Sequence, residues 1–275
     1  MFIVTYLIGD ISVEDPILVN YSDSTGKGID KLAGELAQWS FMDLGDDPSF
    51  FAAQQFNHNI TWGICRLDVR NSLKKNDIVL FFGAKKVMNK LHYYFIGWAT
   101  VLEKIKQTDI WTDERYFCFQ KNSNLLFYKM ENNRFHYKEK IFEKYKHRKE
   151  WLWKISNGKK GMKNAVLLLS KEFKTIPEVF DVHPNYVIFS NSTRETVILN
   201  QPIKVAWHGE QINSYKEIWD QNLIAQEIKN LVFQFSKRDS LRINNYMRHR
   251  HIHLRLNEQQ ESEFFSLLEK LRLKI

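Results

Sequence analysis

The sequence predicts an α+β fold, with a curved sheet or barrel at its centre and helices toward both ends of the chain. Three observations lead there. Short runs of β-branched and aromatic residues recur through the chain, as strands require. Apolar residues at helical spacing appear near the start and again near the end. Neither strict strand–helix alternation nor a glycine fingerprint after a strand is present, which argues against a doubly wound dinucleotide fold.

Composition bounds what such a fold can be. A chain of 275 residues, 44% hydrophobic and 14% aromatic, can bury a sizeable core, so disorder is excluded as its main state. The 40 Lys and Arg against 32 Asp and Glu leave a formal charge of +8. That excess permits contact with a polyanion but does not prove it. The two cysteines, Cys65 and Cys118, make neither a disulfide framework nor a zinc cluster, and a cytoplasmic setting is expected. No apolar run approaches the ~20 residues of a bilayer span. No membrane partner is therefore expected.

Taken in order, the first strand is Phe2–Ile8. The polar stretch Ser22–Gly28 reads as a loop, because its Gly-Lys-Gly lacks phosphate-loop spacing. Leu32, Leu36 and Trp39 mark a helix over Ile29–Phe41, which Asp46-Asp47-Pro48 ends. Arg66 to Asn71 leads into the turn Lys74–Asp77. Two apolar strands follow, Ile78–Gly83 and Tyr93–Val101, joined by a basic loop. Gly97 within the second predicts a bulge or a close backbone approach. Asp109–Glu114 reads as a loop carrying Trp111, and Tyr116–Phe119 as a short strand.

From Arg134 to Lys163 eleven bases face three acids, with Ile141, Phe142, Tyr145, Trp151, Leu152 and Trp153 interleaved. This predicts a basic amphipathic helix or helix pair. Ala165–Leu169, Tyr186–Ser190 and Thr196–Leu199 read as strands. Ser214-x-x-Glu217 has the form of a capping box opening a helix to about Phe235. In Tyr246–Leu256, Ile252, Leu254 and Leu256 alternate with His251, His253 and Arg255. Asn257 should cap a last helix that buries Phe264, Leu268 and Leu271.

Catalytic signals are sparse. His249, His251 and His253 lie close together, and the last two share a strand face. Nothing in the spacing supplies a third ligand or a general base, so no metal site, cofactor or catalytic residue is assigned. Serine-nucleophile motifs are absent, and Cys65 and Cys118 are expected to pack as small buried apolar groups.

Binding signals are stronger. Trp62, Phe82, Trp98 and Trp111 lie on or beside the central strands, and aromatic faces stack on nucleobases. Phe82 and Trp98 sit in apolar runs and suit a core equally well. Trp62 and Trp111 have polar neighbours and are expected at the surface. Arg66, Arg70 and Asn71 add donors and acceptors for base edges or phosphate. The candidate base pocket is Trp62, Arg66, Arg70, Asn71, Trp98 and Trp111. The candidate phosphate contacts are Lys146, Arg148, Lys159, Lys160, Arg248, Arg250 and His251.

Val69-Arg70-Asn71, Asn76-Asp77 followed by Ile78–Phe82, and Ile96-Gly97-Trp98-Ala99-Thr100-Val101 occur in an order that resembles the PUA-like superfamily, especially EVE domains and their YTH and ASCH relatives. Asp46–Pro48 looks like part of a nucleotide-modification-associated domain of the kind found near phage base-modification genes. The resemblance implies a pseudo-barrel with a pocket for a modified or flipped base and no catalysis, with Arg70 and Asn71 lining the pocket. On that basis the chain is one elaborated domain over 1–275. A PUA-like core occupies 1–125 with strands from 164–206, a basic helical insertion occupies 126–163, and a helix–strand–helix elaboration occupies 207–275. The expected partner is nucleic acid, DNA in preference to RNA. Two other functions stay open: a DNA- or nucleotide-processing enzyme using His251 and His253, and a protein-interaction subunit.

Overall fold

The computed structural model describes residues 2–8, 48–50, 53, 57–63, 67–87, 90–122, 124–125, 127–129, 135–137, 172–173, 185–208, 217–236, 241 and 251–275. The fold class is α+β. The chain divides into two compact units. The first takes Met1–Trp39, Leu73–Leu102 and Phe189–Ile275, and the second Ser40–Ser72 and Glu103–Ile188.

The first unit is built on β1 (Phe2–Ile8), β3 (Ile78–Val87), β4 (Lys90–Lys106), β9 (Thr196–Trp207), β10 (Ile218–Trp219) and β11 (His251–Arg255). They lie in the order β10-β9-β4-β3-β1-β11, so this path is open, ending at β10 and β11 among the described residues. β1 runs parallel to β3, with Ile3 opposite Ile78, and the other neighbours are antiparallel. Two helices, α3 (Leu223–Phe233) and α4 (Glu258–Arg272), complete the unit. Ala225, Ile228, Leu231 and Val232 of α3 join Phe264, Leu268 and Leu271 of α4 in one apolar core with Ile78, Leu80, Phe82, Phe95 and Trp98.

Gly97 produces the bulge its sequence position predicts. Its φ is 143°, a region only glycine enters at no cost. A Cβ there would lie 2.0 Å from the Val197 carbonyl oxygen. Phe81 pairs with Gly97 but Phe82 with Phe95, which leaves Ile96 as the extra residue. The extra residue resets the alternation, so Phe95 and Trp98, three apart, both face the core and stack at 6.4 Å.

Several elements differ from expectation. β3 and β4 run on into the stretch read as a basic loop, pairing Lys85 with His92 and Val87 with Lys90. The helix near Ser214 begins at Asn222, whose side chain accepts from the Ala225 amide. Glu217 is instead buried and accepts from the Leu241 amide and the Trp219 indole. Asn257 caps α4 in a full capping box with Gln260, and Phe264, Leu268 and Leu271 are buried as predicted. Leu254 and Leu256 also face the core.

The second unit contains β2 (Thr61–Trp62), α1 (Leu67–Ser72), α2 (Asp109–Thr112), a 3-10 helix (Glu114–Lys121) and β8 (Asn185–Phe189). β8 pairs antiparallel with β2, Thr61 opposite Ile188. β5 (Phe127–Lys129), β6 (Phe135–Tyr137) and β7 (Glu172–Phe173) form a separate antiparallel sheet. Tyr116–Phe119 is helical rather than a strand, because Asp113 accepts from the Arg115 amide and side chain and so starts a turn. Within the span expected to be basic helix, Phe127–Lys129 and Phe135–Tyr137 are strands, consistent with their aromatic composition. Residues 138–163 lie outside the described residues, as do the helix expected over Ile29–Phe41 and the strand expected over Ala165–Leu169.

Candidate functional site

The second unit holds most of the predicted base pocket, and its interior is unusually polar. Thr61 sits at the centre. Its hydroxyl lies 2.8 Å from Ser49 Oγ and 2.7 Å from the Tyr186 hydroxyl. Asn122 Nδ2 donates to it at 3.0 Å and Asn124 Nδ2 at 3.1 Å. Tyr186 in turn donates to Asn124 Oδ1 at 2.8 Å, and His58 Nε2 lies 2.9 Å from Asn122 Oδ1. Ser49, Thr61, Asn122, Asn124 and Tyr186 are all buried. Both amides therefore spend their donors and acceptors on each other's neighbours, which is how buried polar groups are stabilised.

This network explains Trp62. Its polar neighbours predicted exposure, but the residue is wholly buried. Thr61 turns inward to Asn122 and Tyr186, so polarity next to Trp62 does not signal solvent. Gly63 is required for the same packing, since a Cβ there would lie 2.2 Å from the Asn124 carbonyl oxygen and 2.6 Å from the Tyr186 ring. Gln107 Nε2 donates to the Gly63 carbonyl at 2.6 Å.

Arg70, in the last turn of α1, is also wholly buried and donates to the Asn185 carbonyl. Asn71, the next residue, is exposed. Its side-chain oxygen accepts from Asn185 Nδ2 at 2.5 Å and its carbonyl from Lys104 Nζ at 2.9 Å. The Val-Arg-Asn step thus splits into a buried anchor and a surface amide.

Trp111 is half-buried rather than exposed. It packs on an apolar cluster of Ile105, Ile110, Tyr116, Phe119, Leu125, Tyr186 and Ile188. Its indole Nε1 is buried and has no hydrogen-bond partner among the described residues. Beside it, Tyr116 donates to Glu103 at 2.9 Å, and burial together with that carboxylate pushes the phenol up to about 12. Arg115 lies 5.1 Å over the Tyr116 ring and holds the Asp113 carboxyl below the usual carboxylate range. Cys118 is exposed on the 3-10 helix, against the expectation of burial.

In the first unit, Phe82 and Trp98 resolve as core: both are fully buried in the apolar cluster. Arg66, Lys146, Arg148, Lys159, Lys160, Arg248 and Arg250 lie outside the described residues. His251 is described only through its backbone, which pairs with Tyr6. His253 pairs with Val4 in the same way.

Sequence reasoning missed a group on the sheet of the first unit. His92 pairs with Trp207, and Tyr94 with Lys204. The His92 and Tyr94 rings lie 6.5 Å apart and 21° from parallel. Lys204 Nζ lies 4.9 Å from the Trp207 ring centre, a cation–π contact worth about 0.5–1 kcal/mol at a surface. Partial burial, then Lys204 and Lys90, hold the His92 imidazole below its ordinary range. The signal was present in Tyr93–Phe95 and Lys204–Trp207, but strict alternation hides it.

Compared with protein-family models, curated proteins and solved structures, the chain shows no significant match. Among the described residues, no helix is long and apolar enough to cross a membrane.

Proposed function

We propose that the protein is a nucleic-acid-binding module of PUA-like type that takes a modified or flipped base beside Trp111, with Asn71 offering its amide to the strand. The observation that carries this reading is the Trp111 ring, seated on an apolar cluster yet only half-buried, so that part of its surface stays open. The ring face supplies stacking of about 1–3 kcal/mol per base. Trp62 and Arg70 are fully buried, and Arg70 fixes the Asn185 carbonyl whose residue also holds Asn71. The bulge at Gly97, at the glycine of the PUA-like pattern, supports that kinship. The net charge of +8 supports a polyanionic partner.

The test is fluorescence anisotropy with oligonucleotides carrying plain, methylated or hydroxymethylated cytosine, or methylated adenine, over a range of salt. Affinity should fall steeply with salt, because bound cations leave the phosphates. Trp111→Phe should lose about tenfold in selectivity for the preferred base, a change of about 1.4 kcal/mol. Binding without a salt slope, or selectivity unchanged in Trp111→Phe, sinks the proposal.

A further inference from the structure

We propose that the sheet face formed by His92 and Tyr94 of β4 and Lys204 and Trp207 of β9 is a stacking platform for single-stranded nucleic acid. It shares its class of partner with the function proposed above but uses none of that site's residues. The platform depends on a bulge. Tyr93 pairs with Ala206 and Tyr94 with Lys204, so Val205 is an extra residue in β9. Residues 204 and 207 would face opposite sides of a regular strand. With Val205 inserted, both stand on the same face, opposite Tyr94 and His92.

The support beneath is rigid. Tyr93, Phe95, Val205 and Ala206 are fully buried in the apolar core on the other side. Tyr93 is further held by the ring of His208, 2.9 Å from its hydroxyl. Above, Tyr94, His92 and Trp207 are each half-exposed and Lys204 is exposed. Directly opposed pairs on neighbouring strands are close enough to touch, so Trp207 stands opposite His92 and beside the near-parallel His92 and Tyr94 rings, and the three share one ledge. Lys204 stands over it, and Lys90 flanks it at the start of β4. At the far side, Ile218 of β10 pairs with Trp207 and is 51% exposed.

This chemistry fits an unstacked strand. Flat rings accept bases of any sequence, and ammonium groups beside them accept phosphate. A duplex keeps its base faces inside and cannot use the ledge. An acidic peptide could use the lysines but would leave the rings idle. Phosphate also draws Lys204 off the Trp207 ring, which uncovers the ring for a base.

The experiment uses the full chain and a short labelled oligothymidylate, with the matching duplex and polyglutamate as competitors. The single strand should bind at least about tenfold more tightly than either competitor. Trp207→Leu and Tyr94→Leu should each lose about tenfold, within the range of one lost stack, while Trp207→Phe keeps most of the affinity. Lys204→Gln, an exposed substitution that leaves the fold intact, should lower the salt slope by about one. If the leucine variants and Lys204→Gln bind as the parent does, or if duplex or polyglutamate competes equally, the platform is refuted. The two sites separate cleanly. Plain oligothymidylate affinity reports the platform, and the modified-to-plain selectivity ratio, altered in Trp111→Phe, reports the Trp111 site.

Discussion

The two units bury different things. The first packs Ile78, Leu80, Phe82, Phe95 and Trp98 against α3 and α4, and its order comes from where the backbone bulges. The second centres on Thr61, Asn122, Asn124 and Tyr186, and its order comes from which atom donates to which. An apolar core tolerates exchange of side chains of similar volume but not a shift of register. A polar core tolerates neither an isosteric loss nor a misplaced donor.

The comparison can be broken first at Gly97. Gly97→Ala should destabilise the protein by about 3 kcal/mol or more, because positive-φ strain of about 1–3 kcal/mol adds to a clash with the Val197 carbonyl. Calorimetry should show a fall in melting temperature of roughly 6–12 °C, at about 2–4 °C per kcal/mol. A fall of under a degree would mean the bulge does not govern the first core.

The next largest effect lies in the second unit. Thr61→Val keeps the shape but removes the hydroxyl shared by Ser49, Asn122, Asn124 and Tyr186. A loss of about 1–3 kcal/mol is expected. Denaturant titration reads it as a lower midpoint at constant slope. A neutral result would show that Tyr186 and the two amides satisfy each other without Thr61.

The smallest effect sharpens the picture of the sheet face. His92 is held below the ordinary histidine value by partial burial first, then by Lys204 and Lys90. The unfolded chain therefore takes up this proton at higher pH than the native one. Stability from His92 is complete above about pH 6.5, the unperturbed value, and declines as pH falls through it toward the lowered native value. In Lys204→Met the native value should rise part of the way back, since burial and Lys90 remain. A proton NMR titration of the His92 ring checks this, and an unmoved midpoint would mean Lys204 does not act on it.

Much of the fold was legible where local chemistry dominates. Asn257 and Gln260 announce α4, and Phe264, Leu268 and Leu271 mark its buried stripe. Gly97 announced a bulge, and Asp77, which accepts from the Lys74 amide, announced the turn before β3. The candidate site was less legible. Trp62 and Cys118 each took the opposite exposure to that expected, because exposure depends on what the rest of the chain lays over a residue. Asn122-x-Asn124 carried a usable signal: two amides at period two in a non-glycine stretch can face one buried side.

By itself the sequence determined the α+β class, the strands at Phe2, Ile78 and Tyr93 and the capped last helix, since these follow from side-chain type and spacing within a few residues. Only the tertiary structure decided that Thr61 lies inside a polar core, that Trp98 serves packing, and that Lys204 and Trp207 share a face with His92 and Tyr94. The reason is the same in each case. One inserted residue in a strand reverses which side every later side chain faces, and a hydroxyl reads as surface or core according to partners tens of residues away.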